Sequence, residues 1–178
     1  KFNGPKGIGA LVVRQGTQLQ PLQWGGGQEQ GLRAGTLPVP LIMGMAAAAE
    51  LSLQDLEDRQ TRQKALRDQL WQGLKQRNPG IKLNGAMEPR LAHNLNITIP
   101  EISVSRLHRT LRPHLACSSG SACSGGEPSH VLRAIGRSRL EAEGSLRLSL
   151  GRETTATEID SAIEVITTAI QTLNRMQT

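Results

Sequence analysis

The sequence predicts an α/β architecture that includes a small α+β domain. Two short segments, 93–100 and 145–150, alternate apolar with polar residues, which is typical of strands with one buried face. Other segments place leucine or isoleucine at every third or fourth position, which predicts helices with one apolar face. Strands and helices that follow one another along a chain indicate layers, in which helices cover a sheet.

The first half of the chain predicts one buried strand and a long helical stretch. A turn of glycine and proline precedes the apolar run 8–13, which we interpret as a strand. Pro38 and Pro40 precede the helical stretch, whose length allows a bend near Ser52. The Pro-Gly pair at 79–80 ends it. Its apolar face consists of Leu41, Met45, Ala48, Ala49, Leu66, Leu70 and Leu74.

The second half predicts two short helices between its strands and a helix near the C-terminus. The segments 104–111 and 131–135 favour the short helices. Thr155 and Glu158 have the spacing of a capping box, so we expect the last helix to begin there. Its apolar stripe consists of Ile159, Ile163, Ile166, Ile170 and Leu173.

The charge and composition restrict the class of partner. The net charge of +6 favours acidic partners or anionic ligands. We expect no direct nucleic-acid binding, because two Trp, one Phe and no Tyr offer little stacking surface for bases. No apolar run approaches the about 20 residues of a membrane span. The first residue is Lys and no signal-like segment follows it, so we interpret the sequence as part of a longer chain.

The two cysteines, Cys117 and Cys123, have different surroundings in the sequence. Their spacing fits neither a zinc site nor a disulfide framework, so we predict no metal site and a reducing, cytoplasmic compartment. Cys117 ends an apolar segment and is interpreted as a buried structural thiol. Cys123 lies among Ser, Ala and Gly in a basic region, which fits either a reactive thiolate or a bystander surface thiol.

Arg147 and two glycine-containing segments are candidates for binding anions. Arg147 lies on the predicted strand face opposite three leucines, where its guanidinium could either grip a carboxylate or contact only solvent. Backbone N–H groups at 25–27 and the pair at 35–36 could cradle a phosphate, although the spacing of a Walker loop is absent.

Four segments resemble motifs of the cysteine desulfurases, in the order of that family. They are KFNGPKGIGAL at 1–11, GGGQEQGLRAGT at 25–36, SSGSACSGGEPSHVLRA at 118–134 and LRLSLGR at 146–152. The sequence is therefore identified as similar to the C-terminal half of a cysteine desulfurase. That family consists of fold-type I pyridoxal-phosphate (PLP) enzymes of the class V aminotransferase group.

The resemblance implies a division of the fold. Residues 1–39 would form the end of the PLP-binding large domain, including a remnant of its sheet. Residues 40–178 would form a long linking helix and a small domain, in which helices cover a small antiparallel-type sheet.

The resemblance also implies roles for single residues. Lys1 would form the Schiff base with PLP, whereas Lys6 fits the GPKG element instead. Thr36 would bond the cofactor phosphate in the neighbouring subunit's site, which implies a homodimer. Arg147 would hold the carboxylate of the substrate L-cysteine. The Cys123 thiolate would attack the substrate sulfur and keep it as a persulfide, while alanine leaves.

The implied chemistry leaves the destination of the sulfur open. PLP would act as the electron sink, and Lys1 would move the α-proton as general base and acid. A sulfur-acceptor or scaffold protein would then receive the sulfur for iron–sulfur cluster assembly or for thiolation of tRNA or cofactors. The segment 104–114 is rich in Arg and His. We interpret it as a solvated face, with a docking surface for an acidic acceptor as the alternative.

Two other functions compete with the desulfurase. The first is a selenocysteine lyase or related C–S lyase of the same fold, and the second is an inactive truncated binding module. Cys123 favours the desulfurase, because a simple lyase needs no acceptor thiol. We expect the 178 residues to be inactive alone, since the other half of the family fold supplies the group stacked on the PLP ring and most phosphate contacts.

Overall fold

The computed structural model describes residues 2–118 and 128–176, and the chain divides into two compact units, Lys1–Leu56 and Glu57–Thr178. The predicted division of the family fold between residues 39 and 40 stays a prediction. The elements in chain order are a 3-10 turn (Gln28–Gly31), α1 (Val39–Gln54), α2 (Leu56–Arg77), β1 (Lys82–Leu83), β2 (Asn94–Thr98), α3 (Val104–Leu111), α4 (His130–Ala134), α5 (Arg139–Glu143), β3 (Ser145–Ser149) and α6 (Ala156–Arg175).

The predicted strand at 8–13 is absent, and the described part of the first unit contains no strand. Leu11 and Val12 are 78% and 92% exposed. A strand requires a neighbour that satisfies its backbone N–H and C=O groups, and residues 2–56 provide none. The apolar composition of 8–13 therefore does not produce a strand in this chain.

α1 packs along the segment that precedes it. A Cβ placed on Gly4 would lie 3.6 Å from the Cβ of Ala48, and one placed on Gly7 would lie 3.6 Å from Cδ1 of Leu41. Pro40 lies in the first turn, where a missing N–H costs no helical bond.

The predicted long helical stretch is two helices, interrupted at Asp55. No single helix of the described residues is long and apolar enough to cross a membrane, and α1 and α2 meet that criterion only when counted together.

A three-stranded antiparallel sheet forms the centre of the second unit and confirms the predicted small antiparallel sheet. β2 lies in the middle and pairs with β3 along all five residues, from Asn94 opposite Ser149 to Thr98 opposite Ser145. β1 pairs with the other edge of β2 over two residues. Both strands predicted from alternation are present with the predicted faces.

One hydrophobic core joins the apolar face of this sheet to α2, α3 and α6. The predicted stripes on α2 and α6 are buried in it, which confirms the helical periodicity. α2 and α6 approach closely at Gly73, where an added Cβ would lie 3.1 Å from Cγ1 of Ile163 and closer still to its Cδ1. The core residues are Leu66, Leu70, Leu74, Ile81, Leu95, Ile97, Ile99, Ile102, Val104, Leu107, Leu111, Leu146, Leu148, Leu150, Ile159, Ala162, Ile163, Ile166, Ala169, Ile170 and Leu173.

Candidate functional site

The four predicted site residues divide between described and undescribed parts of the chain. Lys1 and Cys123 lie outside the described residues. Thr36 belongs to the first unit and Arg147 to the second. Arg147 therefore provides the geometry from which a site can be built, together with the two ends of the segment 119–127 that contains Cys123.

Arg147 lies beside the residue from which the cysteine segment departs. Its N–H donates to the carbonyl oxygen of Ser118 at 2.7 Å, and the N–H of Ser118 donates back to the carbonyl oxygen of Arg147 at 3.1 Å. The guanidinium Nη2 also donates to Oγ of Ser118 at 3.3 Å. The Arg147 side chain is exposed and makes no ion pair with another residue of 2–118 or 128–176.

A buried polar cluster fixes which way Arg147 points. Asn84 Nδ2 donates to Asn96 Oδ1 at 2.7 Å and to Ser145 Oγ at 3.0 Å, and Thr98 Oγ1 donates to Asn84 Oδ1 at 2.9 Å. A slip of one residue between β2 and β3 would exchange the faces of the strand. Such a slip would break this cluster and turn Arg147 into the core, so the cluster maintains Arg147 on the polar face opposite Asn96.

The chain entering the cysteine segment is held by α3 as well as by β3. His108 Nε2 lies 2.8 Å from the carbonyl oxygen of Cys117, and because a carbonyl only accepts, Nε2 carries the proton and donates. Leu115 and Cys117 pack against the core. Hydrogen bonds on both sides thus position the entry to the cysteine segment.

The chain leaving the cysteine segment enters α4. The Ser129 side chain accepts from the N–H of Leu132 at 3.4 Å and caps the helix. Leu132 is buried and anchors α4 in the second unit. Both flanks of the segment 119–127 are therefore attached to ordered elements.

Cys117 is half-buried, and burial raises the pKa of its thiol. A thiol that is kept protonated is a poor nucleophile. Cys117 was predicted to be buried and is only half-buried, packed against the edge of the core, so its structural role stays a prediction, as does the acceptor role of Cys123.

The segment before α1 presents Thr36 at the surface. The N–H of Gly35 donates to Oε1 of Gln28 at 3.0 Å, and Gly35 has a φ of 111°, which favours glycine. Thr36 is exposed and makes no hydrogen bond to another described residue. Its hydroxyl is available to a phosphate oxygen.

Sequence reasoning missed His108 and Asn84, which position Arg147 and the cysteine segment. Their contacts join residues 9 and 61 positions apart. Local periodicity carries no signal for such pairs. In the ranges 2–118 and 128–176, no group of three or more His, Cys, Asp or Glu side chains could hold a metal ion.

Residues 1–161 match the family model described as aminotransferase class-V. The chain belongs to the class V aminotransferase family. A cysteine desulfurase from Frankia sp. (strain EuIK1) is 45% identical over 176 residues, which cover 96% of this chain and 42% of that relative. The chain spans less than half the length of the curated relatives that it matches.

Solved structures of this family share the fold. A NifS-like protein superimposes with a TM-score of 0.85 at 33% identity, over 96% of this chain and 44% of that one. SspA in complex with cysteine gives a TM-score of 0.59 at 34% identity, over 86% of this chain and 42% of that one. The predicted fold, the C-terminal part of a fold-type I PLP enzyme, is confirmed by these similarities.

Proposed function

We propose that the protein containing this chain is a PLP-dependent cysteine desulfurase, which converts L-cysteine to L-alanine and leaves the sulfur as a persulfide on Cys123. The observation that carries the proposal is the pairing of Arg147, whose guanidinium could bind a carboxylate, with Ser118, five residues before Cys123. Similarity to proteins named cysteine desulfurase, at 45% identity in one of them, supports it.

The residues of this chain fit part of a PLP site. Thr36 offers an exposed hydroxyl that would bond the phosphate, and Lys1 offers the amine that would hold the cofactor. When bound, PLP withdraws electrons from the carbon that carries the substrate amine. Lys1 would move the α-proton between substrate atoms, as a general base and then as a general acid.

Arg147 would orient the substrate. A guanidinium can bind both oxygens of a carboxylate with two parallel N–H···O bonds, which fixes position and direction together. Because Ser118 is bonded to the backbone of Arg147, the bound carboxylate would lie next to the start of the cysteine segment. Five residues of fully extended chain span at most about 18 Å, which limits how far Cys123 is from Ser118.

Cys123 would accept the sulfur. Its thiolate attacks the sulfur of the substrate, the new S–S bond forms and the bond from substrate sulfur to Cβ breaks. The electron pair of that bond stays with the carbon skeleton, which takes up protons and leaves as alanine. Overall, one thiol and one L-cysteine give one persulfide and one L-alanine, with no external oxidant or reductant.

A homodimer and a cytoplasmic location belong to the same proposal. Thr36 makes no bond to another described residue of its own chain, which is compatible with a phosphate held in a neighbouring subunit's site. The cytoplasmic location rests on the sparse use of cysteine, two residues in 178, which is typical of proteins in reducing compartments.

The experiment uses the protein expressed from the complete open reading frame that contains this chain. After addition of L-cysteine, mass spectrometry of proteolytic peptides should find one extra sulfur atom on Cys123 and L-alanine in equal amount. Cys117→Ser is the matched control and should keep the persulfide. If Cys123→Ser released sulfur and alanine as fast as the wild type, Cys123 would not be the acceptor.

The same protein separates the desulfurase from a lyase of the same fold. A selenocysteine lyase would act on L-selenocysteine with much higher kcat/KM than on L-cysteine and would not depend on Cys123. We expect a higher kcat/KM on L-cysteine and a loss of activity when Cys123 is replaced. The reason is that an acceptor thiol is needed to remove sulfur from cysteine and is not needed for simple elimination.

A further inference from the structure

A basic surface of three arginines runs along α3 and its C-terminal cap, and it makes no ion pair with the part of the second unit that the structure describes. Arg106, Arg109 and Arg112 are exposed, and none makes an ion pair with another described residue. They lie three residues apart, so they follow one face of the helix and span about 9 Å along its axis. We call this surface the α3 arginine face.

The opposite side of α3 is buried, so the helix has a defined outer surface. Val104, Leu107 and Leu111 pack into the core, and α3 lies against α6. Rotation of the helix is therefore fixed, and the α3 arginine face points to solvent.

Helix stability explains only part of these charges, because Arg109 lies in the last turn, where a cation is favourable. Arg106 lies in the first turn, where the partial positive charge of the helix end disfavours a cation, and no acidic residue lies in that turn. Like charges three residues apart also repel one another. Arg106 therefore does not stabilise α3, and its position favours a role in contact with another molecule.

The α3 arginine face is attached to the entry of the cysteine segment. His108 lies between two of the arginines in sequence and donates its hydrogen bond to the carbonyl of Cys117. Ser118 follows directly and pairs with Arg147. A molecule bound on this face would therefore be held beside the segment that carries Cys123.

We propose that the α3 arginine face is the docking surface for an acidic protein that accepts the sulfur from Cys123, an inference that rests on the proposed desulfurase activity. Charge complementarity speeds encounter and orients a partner. A nucleic acid fits less well, because the described surface of α3 presents no aromatic side chain for stacking and only three cations over a short distance.

The transfer step balances without another reagent. A thiolate of the partner attacks the outer sulfur of the Cys123 persulfide, a new S–S bond forms on the partner, and the bond to Cys123 breaks. The electron pair of that bond returns Cys123 to its thiolate, ready for the next substrate.

The test uses the full-length protein and a labelled synthetic peptide of six glutamates and one cysteine, with a six-glutamine peptide as control. Binding is followed by fluorescence anisotropy, and transfer by radioactive sulfur that moves from the Cys123 persulfide to the peptide. Arg106→Glu with Arg109→Glu should lower affinity and transfer rate on the order of tenfold at low salt, and added salt should shrink this difference. Arg106→Lys with Arg109→Lys keeps the positive charges and should therefore keep the affinity for the peptide and the transfer rate of the wild type.

Two further variants separate docking from folding. Arg109→Glu is compared with Arg14→Glu, an equal change of charge at an exposed residue of the first unit, which should bind as the wild type does. Arg106→Ala with Arg109→Ala should weaken binding while leaving the melting temperature unchanged within a few degrees, because both side chains are exposed and make no contact in the core.

The outcomes are distinguishable. Equal binding of the glutamate and glutamine peptides, or binding that charge reversal leaves intact, would overturn the docking surface. Tighter binding of a short single-stranded RNA that displaces the peptide would overturn the acidic-protein partner. Peptide binding lost on charge reversal, in a protein that forms no persulfide from L-cysteine, would keep the docking surface and reject the desulfurase.

Discussion

Arg147 and Ser118 exchange two backbone hydrogen bonds, of 2.7 Å and 3.1 Å, although 29 residues separate them in sequence. This pair joins the strand that carries Arg147, the proposed ligand of the substrate carboxylate, to the chain that leads to Cys123. Substrate binding and sulfur collection would thus share one rigid element. The orientation of that element depends on the polar cluster of Asn84, Thr98 and Ser145 behind it.

Replacing Arg147 should weaken substrate binding more than it disturbs the fold. Arg147→Gln removes a charged bidentate ligand, and we expect KM for L-cysteine to rise about 100-fold, which corresponds to roughly 2.8 kcal/mol. The KM of Arg147→Lys should lie between those of the wild type and Arg147→Gln, since an ammonium keeps the charge but loses the planar guanidinium geometry. Steady-state kinetics of alanine formation measure both.

The matched control for Arg147 is Arg109→Gln, the same change at an exposed arginine of α3. Its KM for L-cysteine should equal that of the wild type. A rise in KM of the same size in both variants would mean that general positive charge, and not the position of Arg147, attracts the substrate.

His108→Ala should loosen the entry to the cysteine segment. The change removes the hydrogen bond from His108 to the carbonyl of Cys117, which contributes about 1 kcal/mol. Its loss should raise the equilibrium constant for local opening roughly fivefold. We therefore expect the amide of Ser118 to exchange its hydrogen about fivefold faster. Hydrogen–deuterium exchange measures this, with His114→Ala, a change at an exposed histidine, as control. Unchanged protection in His108→Ala would show that β3 alone holds Ser118.

Gly73→Ala should destabilise the second unit although alanine favours helices. The gain in helix propensity is at most about 1 kcal/mol, whereas overpacking a core costs about 1–3 kcal/mol, and the new Cβ would press on the buried Ile163. We expect a net loss of about 1 kcal/mol in the free energy of unfolding, measured by urea titration.

Ile163→Val offers a rescue for Gly73→Ala because it removes the methyl group that the new Cβ would meet. The double variant should be more stable than the sum of the two single changes predicts. Gly80→Ala is the control, since an added Cβ there has no atom within 4 Å. If the two single changes in the free energy of unfolding simply added up in the double variant, α2 and α6 would be moving apart at no cost in stability.

Glu158 should make stability depend on pH in the acidic range. The backbone N–H of Thr155, and then its hydroxyl, bond the carboxylate and hold the pKa of Glu158 below its ordinary value of 4.5. A pKa that is lower in the folded state gives stability above the unfolded pKa, and this stability is lost as the pH falls through the folded pKa. The contribution should therefore decline below a pH of about 4.5.

Glu158→Gln keeps an oxygen acceptor for the cap but cannot titrate. Its free energy of unfolding should fall less steeply with acidification than that of the wild type, measured by denaturant titration at several pH values. Parallel curves for both proteins would show that the pKa of Glu158 does not change on folding.

The 178-residue chain alone should bind PLP weakly or not at all, because Thr36 and Lys1 are only part of the required contacts. Titration with PLP should therefore give no stable change of the cofactor absorbance. A stable change that Lys1→Ala removes would contradict this prediction and would indicate that the chain holds the cofactor unaided.

The elements that the sequence predicted correctly are those with strong local signals. α6 combines a long isoleucine stripe with the capping box of Thr155 and Glu158, and both are present. The strand 145–150 was predictable because every second residue is leucine, and the same alternation correctly predicted the exposed face for Arg147.

The errors and omissions have physical causes. The apolar run 8–13 predicted a strand, but a strand depends on distant partners that local composition does not reveal. β1 was missed because it is two residues long. α5 was missed although Ser138 and Glu141 form a capping box, since five residues show no periodicity. The link from His108 to Cys117 depends on how α3 meets a later extended segment, which no local pattern predicts.

The distribution of apolar surface affects how long the chain would persist in a cell. Ala34 is the only buried hydrophobic residue in the described range 2–56, while Leu22 and Trp24 are 99% and 80% exposed. Chaperones and proteases recognise such surface, and they continuously remove polypeptides that display it. The cellular half-life of the chain would therefore report whether another polypeptide covers its first unit, independently of any enzymatic assay.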